Sequence, residues 1–345
     1  MPSDRIASGA AMARRPRLAV LLGDPNGIGP EIAVKLLARP QTYASADVVV
    51  YTDPAILAAG ERVAGRTIDV ERCSPDAPTS AQGRPALAAM DLIDAAAITP
   101  GKSTVEGGRA ALAALAMAAD AARRGVVDGI VFAPFNKHAM RLAGLEQEDE
   151  LRYLQQTFGV AGFVSEFNIT GDLWTSRVTS HIPLREVADA LTVAGVVDAV
   201  RIADRYLKAA GVAAPRIAVA GLNPHAGDGG SIGREEIDVI EPAVTRAREA
   251  GIDARGPLSA DTLFLAARRG DFDAVVTMYH DQGQIAMKLM GFDQGVTLHG
   301  GLPVPIATCA SGTAFDIVGR NVGNSAGLEQ AFDLAARIAA RSLSA

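Results

Sequence analysis

The chain has 345 residues, 49% of them apolar and 21% charged, and carries a net charge of −6. That size and balance indicate one large or two smaller folded domains, and the negative charge argues against nucleic acid or an anionic membrane surface as partner. No apolar run approaches the roughly 18 residues that cross a bilayer, no secretory core follows Arg14-Arg15, and the two cysteines, Cys73 and Cys309, make no metal-type pair, so the expectation is a cytoplasmic protein in a reducing compartment.

In chain order, residues 1–15 read as a disordered tail. Leu18 to Leu22 is a buried strand that runs into Gly23-Asp24-Pro25-Asn26-Gly27-Ile28-Gly29-Pro30, a glycine turn with proline at the start of the helix through Leu37. The backbone N–H groups there suit an anion, but the glycine spacing is not the dinucleotide fingerprint, so no Rossmann site is assigned. Asp47 to Tyr51 is a second strand, Pro54 to Val63 a helix, residues 66–100 an irregular stretch, and Ser103 to Arg124 a long alanine-rich helix. Gly129 to Pro134 is a buried strand ending in Phe135-Asn136-Lys137-His138. Strands continue at Val178 to His181, Arg216 to Ala220 and Ala274 to Met278. The alternation of strand and helix gives an α/β architecture with a largely parallel sheet.

Chemistry in open α/β sheets sits beyond the carboxyl ends of strands. The stretch Asp273 to Lys288 has that form: a buried strand, then Tyr279-His280-Asp281-Gln282-Gly283, then Lys288 two helical turns further on. Of the five histidines, His181, His225 and His280 each follow a predicted strand. Three such histidines can converge on one divalent metal and leave positions open for substrate oxygens, although each singly also fits a loop or core role.

The phrases around these residues are more specific than their spacing. Gly23 to Glu31, Ala133-Pro134-Phe135-Asn136-Lys137, Gly221-Leu222-Asn223-Pro224-His225-Ala226-Gly227, Gly256-Pro257-Leu258-Ser259-Ala260-Asp261-Thr262, Met278 to Gly283 and Gly312 to Gly319 together resemble the 4-hydroxythreonine-4-phosphate dehydrogenase (PdxA-type) family, from about Arg17 to the C-terminus. The resemblance implies a two-domain α/β/α sandwich of the isocitrate/isopropylmalate dehydrogenase type, here residues 16–140 plus 290–345 and residues 141–289, with the active site in the cleft between them. It implies a homodimer with shared active sites and a divalent metal, zinc before magnesium or manganese, on His181, His225 and His280. It further implies a nicotinamide cofactor, NAD or NADP, and oxidation of a secondary alcohol of a small hydroxy acid followed by decarboxylation of the β-keto acid. Lys288 matches the substrate lysine, Asp261 and Asp281 match acidic positions beside the metal, and Asn223 matches a pocket residue.

The departures gather where the family grips phosphate. Gln147-Glu148-Asp149-Glu150 replaces Gly-His-Thr-Glu, Thr297 replaces an asparagine, and Ile306 replaces an arginine. Loss of the guanidinium fork and the presence of three neighbouring carboxylates, Glu148, Asp149 and Glu150, both oppose a dianion. The expectation is a paralogue with an altered pocket, acting on a non-phosphorylated or differently anchored acid, with Arg152 or Lys288 holding a distal carboxylate. Alternatives are a genuine 4-hydroxythreonine-4-phosphate dehydrogenase or an enzyme of the terephthalate cis-dihydrodiol dehydrogenase kind. A further alternative is a phosphate acyltransferase-like enzyme without redox chemistry. Arg152 alternatively pairs with Glu148, one helical turn earlier.

Overall fold

A computed structural model describes residues 14–75, 77–78, 83–291 and 295–344. The expected tail lies outside the described residues apart from Arg14 and Arg15, whose guanidiniums bind Asp128 and the Tyr43 carbonyl.

The first half reads β1 (Arg17–Leu21), α1 (Gly29–Leu37), α2 (Pro40–Ser45), β2 (Asp47–Thr52), α3 (Pro54–Ala64), β3 (Glu71–Cys73) and β4 (Ala86–Ala89). It continues through α4 (Val105–Arg123), β5 (Gly129–Phe132), α5 (Lys137–Leu142) and α6 (Glu150–Thr157). The second half reads β6 (Ser165–Thr170), β7 (Leu173–Arg177), α7 (Val187–Ala190), α8 (Val193–Ala210), β8 (Arg216–Ala220), α9 (Glu241–Glu249), β9 (Asp253–Leu258) and α10 (Ala260–Arg268). It ends with β10 (Ala274–Thr277), α11 (His280–Gly291), β11 (Val296–Gly300), β12 (Ile306–Cys309) and α12 (Ala326–Ser344).

The strands form one sheet in the order β3-β4-β2-β1-β5-β12-β11-β6-β7-β10-β8-β9. Its flanks are parallel, as the alternation predicts, but the centre is not. β11 pairs antiparallel with both β12 and β6, and β6 pairs antiparallel with β7 through the tight turn at Gly171. The expected strand at Val178 to His181 is therefore displaced: the strand is Leu173–Arg177, and His181 stands four residues beyond its end. β6, β7 and β11 mix polar and apolar residues, so they lack the continuous apolar run of a doubly buried strand.

Alternation within strands sends side chains to two cores. Leu18 and Val20 face one core with α1, α8 and α12; Ala19 and Leu21 face another with the alanine side of α4. Helices thus cover both faces, and the fold is a mixed α/β sandwich. Small residues let α4 lie close: a Cβ on Gly108 would come 2.0 Å from the Ala139 carbonyl oxygen. Among the described residues, no helix is long and apolar enough to cross a membrane.

Candidate metal centre and its surroundings

β7 and β10 are parallel neighbours, with Arg177 in register with Thr277, so the segments that leave them emerge side by side. The Val178 N–H donates to the Thr277 carbonyl, and Thr179 bonds the Met278 carbonyl through both its N–H and its hydroxyl. This stitching carries His181 and His280 together, with ring centroids 5.6 Å apart and planes inclined at 42°. His280 opens α11, whose tight approach to β10 rests on Gly283: a Cβ there would press on Thr277. Gln282 ties this end to the next loop, accepting from Met278 N–H and donating to the Gly221 carbonyl.

Each histidine has a carboxylate against Nδ1. For His181 it is Glu148, at 2.5 Å, with Asp149 at 3.7 Å; for His280 it is Asp281, at 2.7 Å. In both rings this leaves Nε2 available. A carboxylate on one imidazole nitrogen is the usual support for a metal on the other.

His225 is held differently. It lies on the loop after β8, where His225, Ala226 and Asp228 all adopt left-handed backbone conformations, at φ of 53°, 52° and 45°. Non-glycine residues rarely adopt these angles, and three within four positions need an outside constraint. Glu236 supplies it. This buried carboxylate accepts from the backbone N–H groups of Leu222 and Asn223 and from the Asn223 amide. Gly227 lies so close that a Cβ would sit 2.7 Å from Glu236 Oε2. His225 itself is exposed. Among the described residues, the three histidines do not bring one ligand atom each within 4.8 Å of one another, whereas Glu148, Asp149 and His181 do. Within one chain, then, the structure gathers two of the three expected ligands.

The other predicted residues scatter around this pair. Asp261, in the first turn of α10, is exposed and accepts from the Ser259 hydroxyl. The Asn223 side chain is taken up by Glu235 and Glu236. Lys288 is exposed on α11 and borders a small cavity with Asn168 and Gln284. Arg152 does not pair with Glu148: its guanidinium donates to Gln155 at 2.8 Å, while Glu148 is on His181. The guanidinium belongs to α6, whose N-cap Asp149 accepts from Arg152 N–H and whose first turn begins only at Glu150.

Apart from Thr297, expected as a substrate-binding residue, sequence reasoning missed a polar patch on one face of β6, β7 and β11. Arg177, 5% exposed, bonds Glu166 through Nη2, Asn168 through Nη1 at 2.8 Å and Ser180 through Nε at 3.0 Å. Asn168 also meets Gln284 and Thr297, and His299 Nε2 lies 3.9 Å from Glu166. Burial alone raises the Glu166 carboxyl, but Arg177, then His299 and Lys137, hold it below its ordinary range. The signal was available: Glu166 and Asn168, and likewise Thr297 and His299, are two apart and share a strand face. Arg177, Ser180, His181, Glu148, Asp149 and Arg152 line a cavity of about 120 Å³ beside the histidine pair.

The glycine turn Gly23–Pro30 is closed by protein. A Cβ on Gly27 would come 2.9 Å from Thr313 Cβ, and Ile28 N–H donates to the Thr313 carbonyl.

Residues 44–335 match the family described as pyridoxal phosphate biosynthetic protein PdxA. A Rhizobium meliloti (strain 1021) protein, provisionally named 4-hydroxythreonine-4-phosphate dehydrogenase 2, is 47% identical over 94% of each chain. The crystal structure of 4-hydroxythreonine-4-phosphate dehydrogenase from Klebsiella pneumoniae is 34% identical, with a TM-score of 0.81 over 95% of this chain and 99% of that one. A terephthalate 1,2-cis-dihydrodiol dehydrogenase from Burkholderia xenovorans LB400 is 32% identical, with a TM-score of 0.66 over 91% and 96%.

Proposed function

The chain belongs to the PdxA family and is a dehydrogenase of the kind acting on CH–OH, and from that premise we propose that it oxidises a secondary alcohol of a small hydroxy acid, using NAD or NADP and a divalent metal, with loss of the carboxylate from the β-keto product. The observation that carries the reading is the His181–His280 pair with a carboxylate on each Nδ1. Two imidazole nitrogens as ligands suit a borderline ion, which ranks zinc ahead of magnesium or manganese. Such an ion, when bound, polarises the hydroxyl and stabilises negative charge as CO2 departs.

His225 completes the set. The His181–His280 pair belongs to a single chain, so a homodimer with shared sites places His225 of the opposite subunit against it. Glu236 keeps the His225 loop in its left-handed shape in advance of that contact. Lys288 holds the substrate anion or moves a proton, and Asp261 and Asp281 flank the ion. No residue is assigned to the nicotinamide. We read residues 16–140 with 290–345, and residues 141–289, as two domains that meet along the β11–β6 seam, with the site in the cleft between them.

For the substrate we favour an acid without a phosphate. Ile306 is fully buried and in register with His299, and Thr297 is engaged by Asn168, so neither offers the charged fork a phosphate prefers. Glu148 and Asp149 put two carboxylates on the loop that replaces the family's phosphate-gripping phrase, beside His181, and like charge there opposes a dianion. The phosphorylated substrate in the Rhizobium meliloti relative's name keeps 4-hydroxythreonine 4-phosphate as the second reading.

The test is purified enzyme with NAD or NADP, with and without prior chelation, offered 4-hydroxythreonine 4-phosphate, carboxylated hydroxy acids and cis-dihydrodiols. Metal-dependent reduction of the nicotinamide with any of these supports the reading. Acyl transfer to phosphate with no nicotinamide turnover overturns it.

A further inference from the structure

The loop between α5 and α6 brings Glu148 to His181 under constraint from both sides. Arg141 Nη2 donates to the Glu148 carbonyl at 3.2 Å, and the next residue, Asp149, is fixed as the N-cap of α6. Between these anchors the Glu148 side chain reaches back across the cavity to His181 Nδ1, at 2.5 Å.

Two roles compete for this carboxylate. With Asp149 and His181 it forms a group able to hold an ion, Glu148 then being a ligand. Distance decides against that. Two ligand atoms on one tetrahedral zinc, each about 2.0–2.1 Å from it, sit roughly 3.3 Å apart. At 2.5 Å the Glu148 and His181 atoms are closer than that and in direct hydrogen-bond contact, a little under the roughly 2.7–2.9 Å usual for a charge-assisted N–H···O bond. The second observation is the parallel with His280, where Asp281 occupies the same ring atom at 2.7 Å. Both rings therefore give Nδ1 to a carboxylate and leave Nε2 as the nitrogen for a metal.

We propose that Glu148 is the positioning residue of His181: it accepts the Nδ1 proton, fixes the ring as the Nδ1–H tautomer and so presents a basic Nε2 lone pair to the metal. The proposal rests on the metal reading above. It also gives a physical role to a loop that sequence marks only as the loss of a phosphate grip. The carboxylate there is engaged with the catalytic centre and is no longer available to a substrate.

Zinc affinity by competition with a chromophoric chelator separates the cases, using wild type, Glu148→Gln, Glu148→Ala and His181→Ala. Glu148 is 45% exposed on its side chain, so these changes leave the core intact. Glu148→Ala is expected to weaken zinc binding about 10–100-fold, the usual loss for such a partner. Glu148→Gln, which can still accept from Nδ1, should lose less. In metal-free protein with 15N-labelled histidine, His181 should give the Nδ1–H pattern in wild type and Gln and lose it in Ala. Unchanged affinity and an unchanged tautomer in Glu148→Ala, while His181→Ala loses zinc, overturns the proposal alone. Wild-type affinity in His181→Ala overturns the metal reading beneath it.

Discussion

The His181 and His280 rings lie 5.6 Å apart within one chain, because β7 and β10 are adjacent and parallel. If the third ligand, His225, is supplied across a dimer, the three histidines are not equivalent in mixing experiments. Combining inactive His181→Ala and His280→Ala chains leaves every hybrid site with one damaged member of the pair, so no activity should return. Combining His181→Ala with His225→Ala leaves one hybrid site intact and the other doubly damaged. Random assortment then makes half the dimers hybrid and restores about a quarter of wild-type activity. Activity returning from the first mixture shows that the pair itself is split between subunits.

Metal content gives a second, independent check. On the proposed reading, in which the ion would polarise the reacting hydroxyl, His181→Ala or His280→Ala should lose stoichiometric zinc on dialysis and lower kcat by a factor on the order of 100 or more. Circular dichroism should stay native, both rings being partly exposed beyond the carboxyl ends of β7 and β10. Elemental analysis showing full zinc in either variant is the outcome that sinks the site.

The alternation of buried strands and helices made the α/β class legible from sequence, and the parallel flanks follow from it. The antiparallel centre was not legible. Its strands carry Glu166, Asn168, Arg177, Thr297 and His299, polar residues that interrupt the apolar run by which buried strands are recognised. Among the site residues, His280 followed from a strand that ends abruptly. The carboxylate on His181 did not, because Glu148 lies 33 positions earlier in the chain and only the fold closes that gap.

Arg177 and Glu166 make a buried pair whose loss is asymmetric. Arg177→Leu leaves the Glu166 carboxylate beside apolar surface without its main counter-charge and should cost about 3–5 kcal/mol in denaturant unfolding. The double variant Glu166→Gln/Arg177→Leu should recover much of that. Because Glu166 is held below its ordinary value, its contribution is present above the unfolded carboxylate pKa and is lost as pH falls through the lower folded one. A Glu166→Gln protein should accordingly lose less stability than wild type on acidification. Additive single and double effects argue that the pair is not coupled.

Asp24 behaves in the opposite sense. It is 1% exposed, Oδ1 accepts from Asn26 N–H, Oδ2 has no partner among the described residues, and burial raises the carboxyl to about 6. The folded protein therefore binds a proton more tightly than the unfolded chain. Stability from this group is greatest below the unfolded value near 4, falls as pH rises towards 6, and is gone above it. Asp24→Asn keeps the acceptor and removes the charge. It should stabilise the protein by roughly 2 kcal/mol at pH 8 and by little at pH 4, read from urea midpoints at both. Equal effects at the two pH values mean that Asp24 ionises without penalty.

The substrate question turns on Arg152 and the cavity of about 120 Å³ that it shares with Arg177 and His181. Arg152 is exposed and its guanidinium is committed to Gln155, a neutral partner that a carboxylate can displace. A planar fork suits a carboxylate better than Ile306 and Thr297 suit a phosphate. If Arg152 anchors the distal carboxylate of a diacid, Arg152→Ala should raise KM about tenfold or more with kcat little changed, the mark of uniform binding loss. Gln155→Ala, which frees the guanidinium, should leave KM equal or lower. A KM for the diacid unaltered in Arg152→Ala removes the residue from the site and leaves Lys288 as anchor. A kcat/KM for 4-hydroxythreonine 4-phosphate above about 10⁴ M⁻¹s⁻¹ sinks the non-phosphorylated reading altogether, since that is an ordinary enzyme's efficiency on its own substrate. The phosphate would then be held by groups other than those at 297 and 306, and the dehydrogenase would stand.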